Sequence, residues 1–230
     1  MDKKIAVLAT IIVVLAVIMT YNIYNVITAK QTIVENNLPE KVKDIVASQM
    51  AAEKASPEVS PSPFSPPLER AEERITKKPF GIFIAPQNSP VRPERFRGFH
   101  TGTDFEIFPD ELDADVLAAA VCDGKIAQKK YASGYGGLLV ESCELDGQPV
   151  TVVYGHLKLA SIAKKAGDTL AKREEIGILG KNFSAETSGE RKHLHLGIHR
   201  GSSVDIRGYV SKEADLSGWV DPCSLDSICE

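Results

Sequence analysis

Apolar residues change their spacing several times along this chain, and each change marks a different element. Residues 5–19 carry no charge, with Thr10 the only polar side chain, and the uncharged stretch continues to Ala29 before Lys30. A helix needs roughly 20 residues to cross a hydrocarbon core, and about 25 are present here, so residues 1–30 are expected to form a transmembrane helix. A cleaved signal peptide is the rival reading, because the apolar run is near the upper length of such segments and Ile27-Thr28-Ala29 resembles a weak cleavage site. Lys3 and Lys4 at the short end favour a cytoplasmic N-terminus, with everything after Lys30 on the far side of the membrane. Next, Leu38, Val42, Ile45, Val46 and Met50 recur at helical spacing behind an Asn37 cap and Pro39 in the first turn. A short amphipathic helix is expected within residues 31–55.

The pattern then breaks. SPEVSPSPFSPP places five prolines in twelve residues and removes backbone donors, which favours extended, solvated chain. Residues 56–78 are expected to be a linker, and the folded domain to span 79–230. From Leu117 onward short β-rich runs alternate with turns: LAAAVCDGKIAQKKY, GYGG, GLLVESCEL, a DG turn and PVTVVYGHL. No helical period is visible between Pro79 and Ser161, so the fold class is mostly β, an antiparallel sheet domain with little helix.

Composition narrows the function. The 230 residues allow one compact domain plus appendages. A net charge of −4, with no cluster of Lys or Arg, argues against a nucleic-acid partner. Cys122, Cys143, Cys223 and Cys229 form an even set, consistent with disulfides in an oxidising compartment. A four-cysteine zinc site is disfavoured, because no pair has the C-x2-C or C-x4-C spacing of structural zinc modules. Four cysteines allow three pairings; the hairpin that turns near residues 134–137 favours Cys122 with Cys143 and Cys223 with Cys229 in a small terminal loop, a bond from Cys122 to the tail being the alternative.

All five histidines lie in the expected domain. In HLHLGIH, His193 and His195 share one face of a strand, about 7 Å apart, whereas His199 is about 13 Å beyond His195 and reads as a rim residue. In FHTGTDFE, His100 and Asp104 would also be about 13 Å apart on a regular strand; Gly102 between them has the backbone freedom to bend the chain and bring them together. His156 ends an apolar run in VVYGHL, sharing a face with Tyr154, with Gly155 leaving room beside the backbone. Taken singly, each motif also fits an ordinary structural histidine.

Together, in this order, H-x-G-x-D, Y-x-H-L and H-L-H resemble the lysostaphin and LytM-type zinc metallopeptidases of bacterial cell walls. The resemblance runs from about Gly98 to Pro222 and includes AAAVCDGKI, GYGG and KKAGDTLAKREEIGILG. It implies one zinc ion held by His100, Asp104 and His195, with His156 and His193 as the two catalytic histidines. It also implies cleavage of peptide cross-links in peptidoglycan; the uncharged run behind Lys3 and Lys4 separately leads to the expectation of a cell-membrane anchor with the domain outside the cytoplasm. The sequence departs from the family at Leu196 and Gly197, where many members have Phe and Glu, and at Gly137, where Asn is frequent. These positions bear on the groove rather than on the ligands. The alternative function is a catalytically silent LytM-type regulator of another wall hydrolase, acting through an unidentified protein partner; members of that kind typically lack metal ligands, whereas this chain has all five key positions.

Overall fold

The computed structural model describes residues 62–225 and 227–230. The expected transmembrane segment, the amphipathic helix and the start of the linker lie outside these residues. Among the described residues no helix is long and apolar enough to cross a membrane. The helical content of the described residues is one four-residue helix, α1 (Ala71–Arg74), and short 3-10 turns.

Twelve strands follow in chain order: β1 (Phe83–Ile84), β2 (Gly98–His100), β3 (Gly102–Glu106), β4 (Leu117–Ala119), β5 (Gly124–Ala132), β6 (Gly136–Leu145), β7 (Gln148–Leu157), β8 (Thr169–Leu170), β9 (Glu175–Ile178), β10 (His193–Arg200), β11 (Tyr209–Val210) and β12 (Trp219–Val220). The main sheet runs β12-β10-β7-β6-β5-β8, and β3 also pairs with β10. A three-stranded sheet, β1-β2-β11, and a β4–β9 pair complete the strands, and every pairing is antiparallel. The expected mostly β, antiparallel class is therefore observed.

The period-two alternation of β10 explains its place at the centre. Leu194, Leu196 and Ile198 point into the main core and are fully buried, so His193 and His195 must emerge on the opposite face; Leu196, expected beside the groove, is by the same alternation a core residue. Tyr154 of β7 joins that core, its hydroxyl accepting from Val121 N–H (2.8 Å) and donating to Glu141 (2.6 Å). Disulfides link Cys122 to Cys143 and Cys223 to Cys229, as expected.

The domain begins earlier than residue 79. Phe64, Leu68 and Ala71 are buried in the main core. The backbone is tied down as well: Ser65 N–H donates to Val121 O (2.8 Å) and Ala119 N–H to Pro67 O (2.9 Å). The prolines do reduce the number of donors, but Ser65 supplies one where it is needed, and burying a side chain such as Phe64 or Leu68 stabilises by about 1.5–3 kcal/mol. From Phe64 on, the expected linker is therefore part of the folded domain.

Candidate metal centre and active site

Two neighbouring strands build the centre from their pairing register. In the β3–β10 ladder Asp104 lies opposite His195 and Glu106 opposite His193, so two acids and two histidines share one face. His100 arrives from the other sheet: β2 ends at His100, the chain bends at Thr101, and β3 starts at Gly102. Thr101 fixes that bend, its N–H donating to Gly208 O (3.1 Å) and its hydroxyl to Arg207 O (2.5 Å).

The expectation for Gly102 needs correction. The bend is at Thr101, and Gly102 is required for space: a Cβ there would overlap the Leu196 carbonyl and lie 2.8 Å from the His195 ring. Glycine permits β3 to approach β10 closely enough for the centre to close.

Nε2 of His100, Oδ1 of Asp104 and Nδ1 of His195 form a nearly equilateral triangle, with separations of 3.0 Å between the rings, 3.3 Å from His100 to Asp104 and 3.1 Å from His195 to Asp104. Tetrahedral zinc at about 2.0–2.1 Å from each donor requires edges of about 3.3 Å, so two imidazoles and one carboxylate in this arrangement fit the ion. The rings are oriented from outside. His100 Nδ1 lies 3.2 Å from Pro79 O, which can only accept, so the proton sits there and Nε2 is left bare toward the centre. His195 Nε2 lies 3.4 Å from the Tyr135 hydroxyl. Burial lowers the His195 pKa to about 4, which keeps the ring neutral as a metal ligand must be. Burial alone would raise that of Asp104, but His193, His100 and Arg191 outweigh it and hold the carboxyl ionised.

His156 and His193 stand beside the triangle with ring centroids 4.3 Å apart. His156 reaches this position through an irregularity that the sequence pattern conceals. On a regular strand it would share the core face of Tyr154, as expected above; instead its φ is +65° and the β6–β7 register shifts between Gly137 and Leu138. This bulge turns His156 out into the cleft while Tyr154 stays in the core. Gly155 does provide space: a Cβ there would overlap the Tyr135 ring. His156 Nδ1 faces Thr187 O at 3.3 Å and His193 Nδ1 faces Arg191 O at 2.8 Å. Both carbonyls can only accept, so each Nδ1 carries a proton. Burial, then the charge of His193, drives the His156 pKa well below its ordinary value.

Asp104, His156, His193 and His195 line a cleft of about 350 Å³ whose walls include Tyr135, Arg191 and Tyr209. His199 is not part of it; half-buried, it lies edge-on to Trp219 and 3.8 Å from Asp205, in keeping with a rim position. A second grouping, Cys122, Glu141 and Cys143, brings possible donor atoms together, but both sulfurs are engaged in the disulfide.

Sequence reasoning overlooked Arg191, Glu106 and Tyr209. Lys78 donates to the Tyr209 hydroxyl (3.1 Å), and the Tyr209 ring lies 5.1 Å from that of His100. The same parity that pairs His193 with His195 also points to Arg191 two residues earlier and to Glu106 two residues after Asp104, and would have found both.

Residues 98–206 match the model of peptidase family M23. The catalytic domain of lysostaphin from Staphylococcus simulans is similar at 21% identity, covering 66% of this chain and 92% of that one, with a TM-score of 0.44. LytU is similar at 22% identity over 66% of this chain and 86% of its own, TM-score 0.44. A structure of the SpoIIQ–SpoIIIAH pore-forming complex matches at 18% identity over 74% and 94%, TM-score 0.47. No curated protein matches.

Proposed function

Because the chain belongs, through residues 98–206, to the lysostaphin/LytM-type peptidases of family M23, we propose that it is a zinc metalloendopeptidase hydrolysing peptide cross-links of cell-wall peptidoglycan. The observation that carries this reading is the buried triangle of His100, Asp104 and His195, with His156 and His193 beside it at the edge of one cleft.

In this account His100, Asp104 and His195 would hold one zinc ion, three protein donors leaving a fourth place open. When bound, the ion would supply Lewis acidity for the scissile carbonyl and lower the pKa of water. The chain's own residues do the rest. His156, its Nδ1 proton donated to Thr187 O, presents a bare Nε2 that takes a proton from the attacking water. His193 donates from Nδ1 to Arg191 O and has Nε2 3.3 Å from Asp104 Oδ2. Both partners accept, so this ring can hold a second proton for the oxyanion and then the leaving amine. Tyr135 and Pro79 O keep the two ligand rings in orientation.

The uncharged stretch of residues 5–29 behind Lys3 and Lys4 supports a single-pass membrane anchor with the peptidase outside the cytoplasm. Residues 1–30 are then the anchor and 31–55 a helix, and a linker leads to the domain. The test is digestion of purified cell wall with the zinc-loaded protein, followed by mass analysis of the soluble fragments. Release of peptides bearing new amino termini supports the reading. A folded, zinc-loaded protein that leaves every wall peptide intact would instead favour a silent regulator.

A further inference from the structure

We propose that Arg191 is a positioning residue that holds Asp104 to one-oxygen binding of the metal, and so keeps the fourth coordination position open. The inference rests on the zinc reading above and concerns a residue outside the five already assigned.

Arg191 precedes β10 on the same parity as His193 and His195, and its side chain is only 12% exposed. The guanidinium grips two carboxylates at once. Nε lies 2.9 and 3.0 Å from the two oxygens of Glu106, and Nη2 lies 2.5 Å from Glu106 Oε1 and 2.8 Å from Asp104 Oδ2. The two oxygens of Asp104 are thereby divided. Oδ1 belongs to the ligand triangle, 3.3 Å from His100 and 3.1 Å from His195, while Oδ2 is occupied by Arg191 and by His193 Nε2 at 3.3 Å. A carboxylate whose second oxygen was unengaged could rotate and fill the position that water or substrate needs.

The choice of arginine follows from the spacing. Asp104 and Glu106, two apart on β3, face the same way about 7 Å apart along the strand. Both are buried. A planar fork can serve both acids together, which the single ammonium of lysine cannot. Lys77, 3.1 Å from Glu106, touches only that acid. Ligand carboxylates oriented by such partners typically lose about 10–100-fold in metal affinity when the partner is removed.

The full-length chain, Arg191→Met and Arg191→Lys are compared by zinc competition against a chromogenic chelator and by the visible spectrum after cobalt substitution. The unaltered chain is expected to bind one metal ion and to give the intense cobalt absorption of four-coordination. Arg191→Met should bind about 10–100-fold more weakly, with the weaker absorption of a higher coordination number; Arg191→Lys should fall between. A merely structural role would lower thermal stability and leave the cobalt spectrum of the folded protein unchanged. Equal affinity and an unchanged spectrum in Arg191→Met overturn the proposal. Should that variant fail to fold, equality of Arg191→Lys with the unaltered chain overturns it too. A folded, unaltered chain that takes up no zinc fails at an earlier step, and removes the metal reading itself.

Discussion

Glu141 is a buried carboxyl that the proposed chemistry does not use, and replacing it with glutamine should make the domain more stable in alkali but not in acid. It lies within β6, fully buried, with Oε2 accepting from the Tyr154 hydroxyl at 2.6 Å and Oε1 without a partner. Burial raises its pKa to about 8; the Tyr154 hydrogen bond opposes the rise, and Asp123 and Glu174 add to it. In the unfolded chain the group titrates near pH 4.3. Between these values the folded state binds the extra proton, so stability is fully present below about pH 4, declines as pH rises and levels off above about 8. The gap between about 4.3 unfolded and about 8 folded sets a ceiling of about 5 kcal/mol; local relaxation and water reaching Oε1 reduce the working expectation to about 2 kcal/mol. Denaturant unfolding of the isolated 62–230 domain and its Glu141→Gln variant at pH 5 and pH 9 measures the effect. The variant should gain about 2 kcal/mol relative to the parent on going from pH 5 to pH 9. A difference independent of pH would show that the folded environment of Glu141 does not disfavour its charge, and the reasoning would fail.

Other expectations are quickly checked. Phe64→Ala should destabilise the domain by about 3–5 kcal/mol in the same unfolding assay, since it empties a core site that a solvated linker would not have; no measurable change would return residues 62–78 to the linker. Gly102→Ala should abolish metal binding even where the protein folds, because the new Cβ meets the Leu196 carbonyl and the His195 ring. Full zinc uptake by that variant would disprove the packing argument.

The parts of the fold that follow strict alternation were legible in the sequence. HLHLGIH gave its face assignment directly, because three apolar residues at even positions have only one way to be buried. The β-hairpin series from Leu117 to Leu157 and the two disulfides followed from turns and spacing. What was hidden depended on departures from regular backbone or on distant partners. His156 lies opposite to its parity because of a bulge that no residue type announces; the signal is its left-handed φ, visible only in three dimensions. Gly102 was correctly singled out for the wrong physical reason, since clearance against β10 depends on a strand more than ninety residues away. Phe64 and Leu68 were overlooked because local proline content describes the backbone and says nothing of the pocket into which an isolated aromatic can fit.

The central claim is a division of labour between two histidines that lie two residues apart on one strand face and are therefore indistinguishable by composition. Zinc content and wall-peptide cleavage are measured side by side for His193→Ala and His195→Ala. The account predicts that His195→Ala loses metal and activity together. His193→Ala should keep one zinc per chain and a folded domain while cleavage falls by about 10²- to 10⁴-fold, the usual cost of losing a positioned acid or base. If His193→Ala lost the metal and His195→Ala retained it, the assignment would be contradicted.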